Sequence, residues 1–221
     1  VEVSGYVRSV CGVKDNNEYK FGELAAAKAN PLFMLDGSAE AIELIDKLKA
    51  EGDTAGGVIE IRVKGLKSGF GSCMQNDAKL DARLCGALMG VQAIKGVEIG
   101  MGFGAANISG SRVHDEIFYD GGFYRRTNNA GGIEGGMSNG EEIVIRAAMK
   151  PIPTLMKGLK TVDYVTKQPA VAAAERSDVC AVCAAEIVLE SVTAFVIANA
   201  VSERLGGDNM SEVIKRYGEL I

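Results

Sequence analysis

The chain has 221 residues, 47% of them apolar and 24% charged, with 24 basic against 29 acidic side chains. That is enough apolar material for the core of one globular unit, and it excludes disorder of the whole chain. A net charge of −5 offers no general attraction to nucleic acid or to an anionic membrane. The five cysteines, Cys11, Cys73, Cys85, Cys180 and Cys183, are odd in number, which argues against a disulfide framework and for a reducing, cytoplasmic compartment.

The chain opens on Val1, Val3 and Val7 at one parity with Glu2, Ser4, Tyr6 and Arg8 at the other. This predicts a strand with one wet face rather than a signal peptide. Residues 11–31 are polar and mixed. Asp36 or Ser38 caps a predicted helix running to Glu51, with Ile42, Ile45 and Leu48 as its stripe and Gly52 as its stop. Ile59, Ile61 and Val63 alternate with Glu60, Arg62 and Lys64, a strand with a solvated face. A second helix is predicted over residues 78–94, closed by Gly96, followed by a strand carrying Val97, Ile99, Met101 and Phe103.

From Gly104 to Gly140 the periodicity fades into a glycine-rich region, broken by a short run at 116–119. A stretch so long without its own pattern is more often functional than idle. Ile143, Ile145, Ala147 and Met149 mark another strand, and Val162–Val165 a short one. The last predicted helix begins near Cys180 or Ala184 and ends at Leu205 before Gly206 and Gly207. Glu186 and Glu190 interrupt its apolar run, which favours a helix buried between protein layers over a membrane span. Strands with one wet and one dry face point to antiparallel or mixed sheets covering helices, an α+β fold. No G-x-G-x-x-G fingerprint and no P-loop occurs.

Four places could hold chemistry. Thr127–Gly140 reads TNNAGGIEGGMSNG, in which glycines allow close backbone approach to a ligand and Asn128, Asn129 and Asn139 add amides. Lys150–Thr154 reads KPIPT, where two prolines stiffen the span between an ammonium and a hydroxyl, a pairing suited to phosphate. Arg176 and Asp178 precede the last helix; the residues alone leave open whether this segment caps the helix or binds an anion. The C-x-x-C of Cys180 and Cys183 has no second pair to complete a zinc site and reads as apolar filler at a helix start. His114, the single histidine, sits among polar residues, and no metal site is read anywhere.

Taken together these segments resemble the chorismate synthase family. The likeness runs through GGVIEIRVKGLKSGFGS at 56–72, LDARLCGALMGVQAIKGVEIGMGF at 80–103 and GSRVHDEI at 110–117. It continues through NNAGGIEGGMSNG at 128–140, RAAMKPIPTL at 146–155 and ERSDVCAV at 175–182. It implies a sandwich of helices between mixed or antiparallel sheets, with residues 1–221 forming the C-terminal portion of a single domain. It implies a homotetramer that needs reduced FMN (FMNH2), with NADPH as the source of reducing equivalents. The implied reaction turns 5-enolpyruvylshikimate 3-phosphate into chorismate by anti 1,4-elimination of phosphate.

The resemblance further implies flavin contacts from Gln92, Ala93, Gly135, Lys150, Pro151, Ile152, Pro153, Thr154 and Arg176, and a catalytic Asp178 near the ring. It places two histidine motifs ahead of Val1, which His114 cannot replace. The 221 residues alone are therefore expected to be inactive, either as a truncated piece or as a natural flavin-binding or assembly subunit. Two departures stand out: Cys183 occupies a position where proline is common, and Asn30–Phe33 replaces a stretch that often carries an arginine.

Overall fold

The computed structural model describes residues 1–220. In chain order the elements are β1 (Glu2–Val10), β2 (Val13–Lys14), α1 (Ser38–Glu51), β3 (Gly57–Lys64), α2 (Leu80–Met89), β4 (Ile94–Ile99), α3 (Gly110–Val113), β5 (Ile117–Tyr119), β6 (Phe123–Arg125), β7 (Ile133–Glu134), β8 (Met137–Ser138), β9 (Ile143–Met149), β10 (Lys160–Val162), β11 (Pro169–Val171), α4 (Val182–Leu205) and α5 (Met210–Glu219). Five strands form one sheet in the order β2-β1-β3-β9-β4, antiparallel throughout. The other strands pair as three two-stranded ribbons.

The period-two pattern sets which face of the sheet is dry. Ile59, Ile61 and Val63 of β3 and Ile143, Ile145 and Ala147 of β9 are all buried. They meet Leu80, Leu84 and Leu88 of α2 and Val182, Leu189 and Ile197 of α4 in one core. The result is a layered α+β sandwich of helices on an antiparallel sheet, but the face of β3 expected to be solvated is also closed, with Glu60 and Arg62 buried.

Several expectations need correction. Tyr6, placed on the wet face of β1, is fully buried. A 3-10 stretch at Phe21–Ala29 crosses that face and packs Phe21, Leu24 and Ala27 against Tyr6. Neither Asp36 nor Ser38 caps α1; Gly37 does so in the left-handed region at φ 73° without any side-chain bond. α2 stops at Met89, five residues early: Gly90 N–H makes the last i→i−4 bond, to Gly86, and Val91 N–H tightens onto the Leu88 carbonyl at 3.1 Å. Ala93 then adopts φ 69°, turning the chain directly into β4. Gln92 and Ala93 therefore sit on a loop, not on a helix, and the strand expected to reach Phe103 ends at Ile99, with residues 102–107 winding into a 3-10 turn. α5 was not predicted at all. It has an Asn209 side chain accepting the Glu212 N–H at 3.1 Å, with Val213 and Tyr217 spaced to meet the core.

α4 is long and apolar enough to cross a membrane by length and composition alone. Here it lies on β1, β3 and α2. Its outer face leaves Ile187, Val188 and Phe195 exposed, Phe195 by 68%. On its inner face Glu186 is fully buried and ion-paired with Lys28, while its Oε1 has no partner. Burial pushes the Glu186 carboxyl up to about 7, and Glu190 one turn away adds to this while Lys28 opposes it.

Candidate functional site

Four segments distant in sequence are stitched together by hydrogen bonds where β9 ends. Lys150 N–H donates to the Ala93 carbonyl at 2.9 Å, fixing the start of the KPIPT strap beside the α2–β4 loop. The Thr54 hydroxyl donates to the Ile152 carbonyl at 2.7 Å, holding the middle of the strap. Ala55 N–H donates to Val179 at 2.7 Å, and Glu175 N–H to Leu155 at 3.0 Å, drawing the Glu175–Val179 segment alongside. Gly56 permits this closeness. A methyl group there would stand 2.8 Å from Pro151 N and 2.9 Å from Lys150 C.

Between these segments lies a cavity of about 240 Å³, lined by Lys49, Asp53, Thr54, Thr154, Arg176 and Ser177 among others. Asp53 is already engaged. It accepts the Thr54 N–H at 2.9 Å and faces Lys157 at 3.3 Å, and these contacts hold its carboxyl below the usual range. Among the described residues, Lys49 and Arg176 make no ion pair. Two cations, a hydroxyl and a narrow volume suit a compact anion or the anionic end of a larger ligand. Pockets that enclose whole drug-sized ligands run to roughly 300–1,000 Å³.

A larger cavity of about 820 Å³ opens on the far face of the sheet, over β3 and β9. Part of its charge is paired, since Arg62 meets Glu60 at 2.7 Å, Glu18 at 3.6 Å and Glu142 at 3.8 Å, whereas Arg126 and Arg146 make no ion pair among the described residues and Arg146 Nε is buried without a partner.

The residues singled out from sequence are distributed as follows. Ala93, Lys150, Thr154 and Arg176 share this corner of the fold, with Thr154 and Arg176 lining the smaller cavity. Pro151, Ile152 and Pro153 form the strap between them, and Gln92 is exposed on the neighbouring loop. Asp178 is exposed beside Val179, which lines the cavity; neither Ser177 nor Asp178 caps α4, which starts after Ala181.

Gly135 lies elsewhere. It forms the exposed tip of the β7–β8 turn at φ 59°. Its neighbour Gly136 accepts the Leu80 N–H at the start of α2, whereas Gln92 and Ala93 follow the end of that helix. One chain does not bring Gly135 to the strap.

The asparagines of the glycine block are spent internally. Asn128 donates to the Glu142 carbonyl at 2.7 Å and accepts from Gly132 N–H at 2.9 Å. Asn129 donates to Val113 at 2.9 Å. Buried Asp115 gathers the block by accepting the Thr127 hydroxyl at 2.6 Å and the Asn129 and Ala130 N–H groups at 2.8 and 2.9 Å. Burial opposes its ionisation, yet these donors outweigh that and hold its pKa below the usual carboxylate range. His114 is exposed. Sequence reasoning missed Lys49 and Thr54; E-G-D-T at 51–54 signalled only a helix stop.

A family model described as chorismate synthase matches residues 1–202. The chain belongs to the chorismate synthase family. It is 54% identical over 230 residues to the chorismate synthase of Pelobacter propionicus, covering 98% of this chain and 58% of that protein. The enzyme of Geobacter sulfurreducens is 53% identical with the same coverage, and that of Thermus thermophilus 49% identical, covering 100% of this chain and 60% of that one. A crystal structure of chorismate synthase superposes with a TM-score of 0.81 at 36% identity, covering 99% of this chain and 62% of the other. The chain thus spans about three fifths of the length of the chorismate synthases it matches.

Proposed function

We propose that these residues form the flavin-phosphate portion of a chorismate synthase. The whole protein would release phosphate from 5-enolpyruvylshikimate 3-phosphate in an anti 1,4-elimination that requires reduced FMN. The observation that carries this reading is the strap corner. Thr154 and Arg176 line the cavity with Lys49, Lys150 opens the strap that leads to it, Arg176 has no carboxylate partner among the described residues, and the volume accepts an anionic end but not a whole flavin.

The donor set fits the group. The Lys150 ammonium, the Thr154 hydroxyl and the Arg176 guanidinium would hold its phosphate, with Pro151, Ile152 and Pro153 keeping the donors apart at fixed spacing. Gln92 and Ala93 would border it on the loop side. Asp178, beyond Arg176, would sit toward the ring end and hold or accept a proton on its carboxylate. Reduced flavin, when bound, supplies electron density to the allylic system during loss of phosphate. The protein's share is orientation, donors for phosphate and exclusion of water.

Gly135 would reach the flavin from a neighbouring copy in a homotetramer, since its own strap is out of range. The 221 residues would act as one unit within a larger domain. By themselves they would turn over negligibly, because the family's histidine motifs are not among them and such groups act as a unit.

Titration of the whole protein with FMN tests the reading. Arg176→Met should weaken flavin affinity about 10- to 100-fold, the range of a lost charge-assisted contact worth about 1.5–3 kcal/mol. Unchanged affinity would refute the assignment of this cavity.

A further inference from the structure

We propose that Thr54 is a positioning residue for the KPIPT strap. From the end of the loop that follows α1, it fixes the main chain on which Lys150 and Thr154 are mounted. This deepens the flavin reading of the cavity and rests on it.

The strap has an unusual shortage of attachments. Pro151 and Pro153 carry no N–H, so the segment cannot continue the β9 ladder, and the N–H groups of Ile152 and Thr154 find no partner among the described residues. Among the described residues, the Thr54–Ile152 bond at 2.7 Å is the one hydrogen bond that reaches residues 151–154. The Lys150–Ala93 bond ties down one end and the Leu155–Glu175 bond the other.

Thr54 is itself held firmly. It is 8% exposed, its N–H donates to Asp53 Oδ1 at 2.9 Å, and Asp53 faces Lys157 at 3.3 Å. A hydroxyl so placed transmits the position of the β3 entrance to the centre of the strap. Valine would fill the same space and leave the Ile152 carbonyl unbound, whereas serine would keep the bond.

The experiment is an FMN titration of the whole protein as wild type, Thr54→Val, Thr54→Ser and Lys150→Met, each with a thermal melt. Hydrogen exchange of the strap is followed without flavin. Loss of an outer-shell partner typically weakens a ligand about 10- to 100-fold. Thr54→Val should therefore bind FMN about 10-fold more weakly with a melting midpoint close to wild type. Its amides at Ile152, Thr154, Leu155 and Met156 should exchange faster, and Thr54→Ser should recover both properties. The proposal is overturned if Thr54→Val binds as wild type, if its loss of binding tracks its loss of stability, or if serine does not rescue it. If Lys150→Met leaves FMN affinity intact, the cavity reading itself is wrong. Faster strap exchange in Thr54→Val would then mark Thr54 as a contact of the fold alone, which overturns the proposal too.

Discussion

Gly56→Ala is the sharpest single test of how the strap is held. Gly56 lies where β3 begins, and an added methyl would face Pro151 N at 2.8 Å and Lys150 C at 2.9 Å. Unstrained carbon contacts begin near 3.5–4.0 Å. One partner must therefore yield by roughly 0.6–1 Å. The methyl would come closest of all to the Met149 carbonyl at the end of β9, so the β3–β9 pairing must open at that end and the strap that follows Met149 must shift with it. Overpacking of this kind typically costs about 1–3 kcal/mol. For a chain of this size that lowers the melting midpoint by about 2–12 °C. A displacement of about 1 Å of catalytic machinery can cost on the order of 100-fold in rate. Thermal melts, FMN titration and turnover of the whole protein, run side by side, provide the assay. A variant with wild-type affinity and turnover would show that the strap's distance from β3 is irrelevant to the site. A loss of stability without any loss of affinity would show the same.

Two further outcomes follow from buried carboxylates. Burial pushes the Glu186 carboxyl up to about 7, above its ordinary value of 4.5. Between about pH 4.5 and 7 the folded state therefore binds more protons than the unfolded chain, and the contribution of Glu186 to stability declines as pH rises. Glu186→Gln should flatten that slope and raise the melting midpoint above wild type at pH 8; an unchanged pH profile would contradict the account. Asp115 has the opposite sign. Its folded pKa lies below the ordinary value of 3.8, so its contribution is present above that pH and is lost as pH falls through the folded value. Asp115→Asn should destabilise the glycine block by about 1–3 kcal/mol at pH 7, measured by denaturant unfolding. Faster hydrogen exchange should be confined to residues 127–132.

The sheet and its helices were legible because their residues repeat with the period of the element they build. Ile59, Ile61 and Val63 alternate, and Leu80, Leu84 and Leu88 recur once per turn. Tyr6 was misplaced because its cover, Phe21–Ala29, has too short and mixed a pattern to announce itself. The end of α2 was misjudged because Val91 continues the apolar spacing although Gly90 and Ala93 have already turned the backbone. α5 was overlooked although Asn209 and Glu212 stand at capping distance in sequence. In the candidate site, Lys150, Thr154 and Arg176 could be named from the motifs. Thr54 and Lys49 could not, since their part depends on a tertiary approach that no local spacing encodes.

The strand order has a kinetic consequence. Gly57 pairs with Val10 on one side and with Met149 on the other, so the central strand is completed only after a very long stretch of chain has closed on itself. Long-range pairing of this sort slows folding, because the entropy of loop closure is lost before the contacts form. The strap emerges from the last of these pairings to be synthesised. Its pocket therefore assembles late, and a cofactor arriving during synthesis meets a nearly finished sheet rather than a template it could help to build.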